Sequence, residues 1–529
     1  MNLGTPLYLR PDYMMEPLVD RWYAWPHLIS PATLAMNVVG RHFRIMQSYL
    51  DTPGVHAAAA KDPRFLGGPF IDYDRDRTAE IAELIEETRR FRSRLIEFQA
   101  AFQDLDKLLS HEATGYSLEP VYQRVPEPLR GYIELVYDLN DRPGIRLMEP
   151  MLYRSPLHDP SGQSVVFSRI SGDDRPFVLS TPRLPNPGEV HLQLPFSHPG
   201  LDTLFAAQRC PRPPRMLLDA IGVSEDSGLT AMFTPEPPQP YEPYCGQGAR
   251  WRYFGHACIL VESAGTSILL DPCLSYTYQS NISRYTYLDL PDRIDYALIT
   301  HNHPDHLLLE TMLQLRHRIG AVVVPRNGGG ALQDPSLKLT MQQVGFRNVI
   351  ELDELEEIET ENGSIVGLPF LGEHGDLSIR TKLSYLITVE GHRLLFAADS
   401  CNIDPSLYDH LRRLFGEVEV LFLGMECDGA PMSWLYGPLR TNPLARDKDG
   451  TRRFAGCNYE RASGMVETLG CREVYVYAMG QEPWLNYIMS LKYTDQSNPI
   501  IASNRLIQEC SSRGIVAERL FGEKEILLA

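Results

Sequence analysis

The sequence predicts an α/β protein in two parts: a mixed α+β N-terminal domain over residues 1–240 and a dense α/β catalytic domain over residues 245–529. Three observations lead there. A chain of 529 residues is too long for one core. Residues 234–243 hold five prolines, a density that makes an extended, semi-rigid spacer and marks the boundary. The texture also changes across that spacer. Long helix-like segments and a few alternating strands precede it, and short apolar β-rich runs recur after it.

In the first part, residues 33–50 read as one helix and residues 77–109 as another, with Ile81, Leu84, Ile85, Phe91 and Leu95 near helical spacing. Residues 132–137, 164–167 and 189–194 read as strands. His158, His191 and His198 are scattered and read as structural or surface residues. In the second part, residues 252–262 and 267–271 read as a strand pair. Residues 296–300, 321–325, 348–352, 364–369, 383–389, 393–397, 418–423 and 473–477 read as further strands. The acidic run 353–361 reads as a solvated turn. Gly328-Gly329-Gly330 lacks the Lys-Ser/Thr of a phosphate loop and reads as a plain turn.

The chemistry is concentrated where the apolar run 296–300 stops. His301-Asn302-His303-Pro304-Asp305-His306 places four metal-capable side chains within six residues, between a strand and the helix-like segment 307–315. His301 and His303, two apart, can face one ion, and Asp305 and His306 a second. Imidazole with carboxylate suits zinc, iron or manganese. Two later strand ends add donors: Glu373 or His374, between which spacing does not choose, and Asp399, placed to bridge two ions.

His301-Asn302-His303-Pro304-Asp305-His306 resembles the HxHxDH signature of the metallo-β-lactamase superfamily. Phe254-Gly255-His256-Ala257, Leu270-Asp271-Pro272, Gly372-Glu373-His374-Gly375 and Ala398-Asp399-Ser400 follow that family's order from about residue 250 to the C-terminus. The resemblance implies an αββα sandwich, two sheets face to face with helices outside and the site at one edge. Hydrolases of the superfamily usually carry one more His late in the domain. Here the last His is His410, and Ala478-Met479-Gly480-Gln481-Glu482 stands where the late one is expected.

With the long N-terminal region and the Gly-Glu-His-Gly stretch, that departure is similar to the CmlA-type diiron β-hydroxylases associated with nonribosomal peptide synthetases. This resemblance implies one iron at His301, His303 and Glu373, a second at Asp305 and His306, and Asp399 between them, with His374 outside the ligand set. Glu426 and Glu482 are candidates for the vacant position, though ordinary loop carboxylates is the plainer reading. It also implies two Fe ions, O2 as co-substrate and an external electron donor or reductase. The substrate would be an aminoacyl thioester on a carrier domain, and the protein a homodimer formed through its N-terminal region. A zinc-dependent thioesterase- or lactonase-like hydrolase is the alternative, and a non-catalytic interaction module the third reading.

A net charge of −18 and a pI of about 5.3 argue against general nucleic-acid binding and against adhesion to anionic membranes. Docking an acidic carrier then needs a local basic patch, for which the pairs Arg412-Arg413 and Arg452-Arg453 are available. Nine scattered Cys without a CxxC pair, no apolar signal core in residues 1–20 and no bilayer-length apolar run give the expectation of a cytoplasmic protein. The stretches around Trp434 and Trp484 are candidates for a substrate pocket or for core packing.

Overall fold

A computed structural model describes residues 4–224 and 228–529. The first three residues of the N-terminal segment inspected for a signal core lie outside the described residues. Two seven-stranded sheets stand face to face. The first runs Val349–Leu352, Ile319–Pro325, Ile294–Leu298, Ser267–Leu270, Ile259–Glu262, Ala249–Tyr253, Lys524–Leu528. The second runs Glu357–Thr360, Gly363–Leu368, Ser384–Val389, His392–Phe396, Val420–Gly424, Glu473–Tyr477, Val516–Arg519.

Large apolar side chains fill the space between the sheets. Phe396 stacks on Phe422 at 4.6 Å, and Trp251 meets Phe422 and Tyr475 edge-on at 5.0 and 4.7 Å. Such offset and edge contacts suit the aromatic quadrupole. Helices Pro405–Phe415, Tyr459–Leu469 and Asn498–Ser512 cover the second sheet. Helices Leu309–Leu315 and Leu337–Gln343 cover the first. The result is the αββα layering expected above.

The N-terminal elements form a further layer over that helical face. Their four-stranded sheet is ordered Trp22–Tyr23, Tyr13–Val19, Gln163–Arg169, Val190–Gln193. One apolar cluster runs without a break from Trp25 and Phe98 to Leu309, Met312 and Met432. All seven residues of Leu309–Leu315 are consequently buried, whereas a helix on the outside of a globular domain ordinarily keeps a solvated face. No helix among the described residues is long and apolar enough to cross a membrane.

Four segments differ from the expectation, each for a local reason. The helix over 77–109 is broken into Thr78–Phe91 and Ser93–Glu112. Arg92 is buried at the break, where its guanidinium takes Asp20 at 2.9 Å and the Asp159 carbonyl at 3.1 Å. Phe91 is left exposed rather than on the apolar face. The helix over 33–50 runs as Pro31–Asn37 and Phe43–Asp51 joined by a π turn, Val38–His42. The expected strand 252–262 is two strands, because Gly255 (φ 108°) and His256 (φ 51°) turn the chain between Tyr253 and Ile259. The acidic run holds the edge strand Glu357–Thr360, whose outward glutamates leave a poor template for edge-to-edge pairing.

Candidate metal centre

Four strand ends meet at one edge of the sandwich. Ile294–Leu298 leads into the His-rich loop, Gly363–Leu368 into Glu373, His392–Phe396 into Asp399 and Glu473–Tyr477 into Gly480. Gly372 (φ 81°), Glu373 (φ 69°) and Ala398 (φ 46°) hold left-handed backbone. A non-glycine residue enters that region at a cost and only where its surroundings enforce it. Here it turns Glu373 and Asp399 inward.

The structure draws the six sequence-predicted donors, together with His256, into three overlapping groups, each with its ligand atoms within 4.8 Å of one another. They are His301, His303 and Glu373; His301, His306 and Asp399; and His256, Asp305 and His306. The middle group shares His301 with the first and His306 with the third. Asp399 Oδ2 lies 3.1 Å from His306 Nε2 and 3.7 Å from His301 Nε2, between the two.

Hydrogen bonds on the far side of each ring set the tautomers. His306 Nδ1 donates to Asp271 Oδ2 at 2.8 Å, which turns Nε2 toward the cluster. His301 Nδ1 lies 3.0 Å from Thr300 Oγ1, whose own proton goes to Asp271. His303 turns Nδ1 inward, 2.8 Å from Glu373 Oε1, with Nε2 3.4 Å from the Tyr436 hydroxyl. Outer partners of this kind fix ring orientation in metal sites.

Buried atoms at the centre without a hydrogen-bond partner include His301 Nε2, His306 Nε2 and Asp399 Oδ1. Orphaned polar atoms are costly in an interior, and the two imidazole nitrogens both face Asp399 Oδ2. Charge agrees. Burial pulls His306 down, but Asp305, Asp399 and Asp271 outweigh it and hold its pKa well above the ordinary value. Burial pushes Glu373 up, but His303 and His374 outweigh it and hold the carboxyl well below its usual range. Burial, followed by the neighbouring imidazoles, keeps His301 neutral. Carboxylates crowded so closely that they draw positive charge onto His306 itself fit two divalent cations, and mixed imidazole and carboxylate fits iron.

The remaining candidates sort by geometry. His374 Nδ1 is 2.8 Å from Glu373 Oε2, and its ring lies 4.6 Å from that of His303, but it belongs to none of the three groups. Neither Glu426 nor Glu482 joins one. Glu426 accepts the Gly429 amide at 2.7 Å and the Tyr493 hydroxyl, and buried Glu482 accepts the Tyr253 hydroxyl. The place of the late His is filled from the other end of the domain. His256 Nε2 lies 3.1 Å from Asp305 Oδ2, and the Gly480 amide donates to His256 Nδ1 at 3.2 Å. With Nδ1 accepting, the neutral ring carries its hydrogen on Nε2 and gives it to Asp305. His256 thus orients a donor, a role that sequence reading missed. Asp271 was missed likewise. The signal was present in both cases, since each sits in a motif of the superfamily order.

A cavity of about 910 Å3 opens onto the cluster, reaching His303, Asp305, Glu373 and Asp399. Residues 64–70 of the N-terminal part form one wall, and Trp434, Leu435 and Phe454 another. Trp434 fixes the two walls together by donating its indole N–H to the Gly67 carbonyl at 2.9 Å. The stretch around Trp484 is core packing instead, with the Arg284 guanidinium 4.2 Å above the buried indole. Of the two arginine pairs, Arg412 binds Glu417 at 2.9 Å and Arg413 meets His410 Nδ1, while Arg452 donates to the Gly375 carbonyl at 2.7 Å and Arg453 to the Asp428 and Gly429 carbonyls.

Sandwich and edge site define a protein of metallo-β-lactamase fold, and residues 266–435 match the beta-lactamase superfamily domain. Residues 8–237 match the domain described as the diiron non-heme beta-hydroxylase N-terminal domain. The 4-amino-L-phenylalanyl-[CmlP-peptidyl-carrier-protein] 3-hydroxylase of Streptomyces venezuelae is 40% identical over 521 residues, 97% of this chain and 98% of that protein. The crystal structure of CmlA, a diiron β-hydroxylase from Streptomyces venezuelae, superposes with a TM-score of 0.93 at 39% identity, covering 99% of this chain and 100% of that one. A yeast N-acyl-phosphatidylethanolamine-hydrolyzing phospholipase D is 25% identical over 207 residues, 36% of this chain and 42% of that protein. The chain belongs to the CmlA family of diiron β-hydroxylases and is an enzyme of that class, not a hydrolase.

Proposed function

We propose that the protein β-hydroxylates an aminoacyl group held as a thioester on the carrier domain of a nonribosomal peptide synthetase. The observation that carries this is the full-length similarity to a hydroxylase that acts on an aminoacyl carrier protein, joined to an acid-rich cluster without the late His. In this reading His301, His303 and Glu373 hold one iron, Asp305 and His306 the second, and Asp399 lies between them. When bound, the irons supply reduction of O2 by two electrons from an external donor, so that one oxygen atom enters the β C–H bond and the other leaves as water.

The chain's own residues shape the rest. Asp271 and Thr300 keep two imidazoles turned inward, and His256 aims Asp305. The 64–70 wall and Trp434 enclose the cavity and limit water. No general base is required for cleavage of an unactivated C–H bond. Cys258 and Cys273 behave as small apolar groups in the core, where burial raises both thiols, whereas the Cys401 sulfur accepts from the Arg461 guanidinium at 3.0 Å.

A reduced cytoplasmic setting is supported by nine free cysteines. The reading includes a homodimer formed through the N-terminal part, and light scattering at the mass of one chain would reject it. The central test is mass spectrometry of carrier-bound amino acids after incubation with iron-loaded protein, reductant and O2, starting with 4-amino-L-phenylalanyl carrier. Gain of one oxygen atom on an aminoacyl thioester is expected. Release of the free amino acid with no oxygen gained would overturn the proposal.

A further inference from the structure

A second cavity, of about 710 Å3, adjoins the one at the metal cluster. The two share Gly67, Pro69, Phe70, Pro431 and Trp434 as a common wall. The second cavity is lined by Arg41, Arg44 and Arg440 and by no Asp or Glu. Among the described residues none of the three guanidinium groups is in an ion pair. Arg41 donates to the carbonyls of Trp434 at 2.9 Å and Leu179 at 3.3 Å, and Arg440 to that of Asn442 at 3.1 Å. Burial lowers the Arg41 pKa only to about 10, so it stays charged near neutrality.

The convergence is built into the backbone. Arg41 lies in the π turn Val38–His42, Arg44 follows in Phe43–Asp51, and Arg440 follows the turn Gly437–Leu439. A Cβ at Gly40 would stand 2.9 Å from the Pro438 carbonyl oxygen. Only glycine there lets the two arginine-bearing segments touch. In a chain of net charge −18, three guanidinium groups, Arg44 among them exposed, line one cavity without a carboxylate and suit an anion. Polar Ser48 and Thr441 line the same space, and guanidinium forks match phosphate oxygens.

We propose that Arg41, Arg44 and Arg440 bind the phosphodiester of the carrier's phosphopantetheine arm, so that the arm passes the Trp434 wall and delivers its thioester to the metal cavity. This rests on the carrier-bound substrate proposed above and names the part of that substrate the protein grips.

The test is binding of fluorescently labelled phosphopantetheine and of labelled pantetheine, which lacks the phosphate, to the iron-loaded full chain. The wild type is expected to prefer the phosphorylated probe by about tenfold or more. In Arg44→Ser/Arg440→Ser the two affinities are expected to converge. Arg440→Ser alone, at the end of a surface turn, is expected to narrow the gap and keeps the test open if the double variant does not fold. No preference in the wild type, or an undiminished preference in the variants, would overturn the inference. So would equal displacement of both probes by millimolar inorganic phosphate. The two proposals fail separately: phosphate-dependent binding with no oxygen gained by any carrier-bound amino acid would sink the hydroxylase reading alone. Hydroxylation by variants with unaltered phosphate preference would sink this one alone.

Discussion

Replacing His256 with alanine tests the hydrogen-bonded route from Gly480 to Asp305. Two bonds go: His256 Nε2 to Asp305 Oδ2 at 3.1 Å, and the Gly480 amide to His256 Nδ1 at 3.2 Å. The ring is buried, so water does not readily replace either. An orphaned buried amide costs about 1–3 kcal/mol, which sets the expected loss of stability in the metal-free protein. Loss of an outer partner of a metal-binding carboxylate typically costs about 10–100-fold in affinity, or about 1.4–2.7 kcal/mol at about 1.4 kcal/mol per decade. In the proposed ligand assignment only the Asp305 and His306 position depends on this contact. Titration of the loaded variant with a chelator, following iron per chain, is expected to release about one iron well before the other, while the wild type holds both more tightly. His256→Asn, a residue that tolerates the left-handed backbone at φ 51°, is expected to recover the stability loss in part. An unchanged chelator titration in His256→Ala would refute the orienting role. Abolition of all iron binding in a folded variant would refute the assignment of His256 to one side of the cluster.

Glu373→Ala is expected to empty the His301 and His303 position, whereas His374→Ala keeps both irons with affinity reduced about 10–100-fold at most; metal analysis after desalting decides, and the opposite order would reassign the ligand. Burial raises the Glu149 carboxyl from 4.5 to about 7, so its contribution to stability is complete below about 4.5 and is lost as pH rises through about 7. That window is worth up to about 3 kcal/mol, and the stability of Glu149→Gln relative to wild type, from denaturant unfolding, should climb across it by that order. A flat difference would show that the group titrates normally. Arg92→Met leaves Asp20 buried without its partner and is expected to cost about 3–5 kcal/mol. A change within 0.5 kcal/mol would show that the helix break has another cause.

The sandwich was legible because its strands are short apolar runs that need only local patterning, and residues 473–477 coincide with the observed strand. Most of the cluster was legible because one loop supplies four donors in six residues and two strand ends supply the rest. What escaped depends on distance along the chain. The helix stops at Arg92 because Asp20, 72 residues away, binds its guanidinium. His256 reaches Asp305, 49 residues on, only once the sheet edge has formed. The arginine cavity was invisible for the same reason, since Arg440 meets Arg41 only through the Gly40 contact.

The fully enclosed helix Leu309–Leu315 bears on how such a chain can be taken apart. Its position directly after the metal loop makes the N-terminal half the far side of the same wall, not a detachable module. Severing the chain at the prolines would strip that helix and expose Leu309, Met312 and Leu313 next to the donors they support. Swapping N-terminal halves among relatives should therefore succeed only when the matching helix travels with them, which ties this enzyme's two halves into a single unit of inheritance.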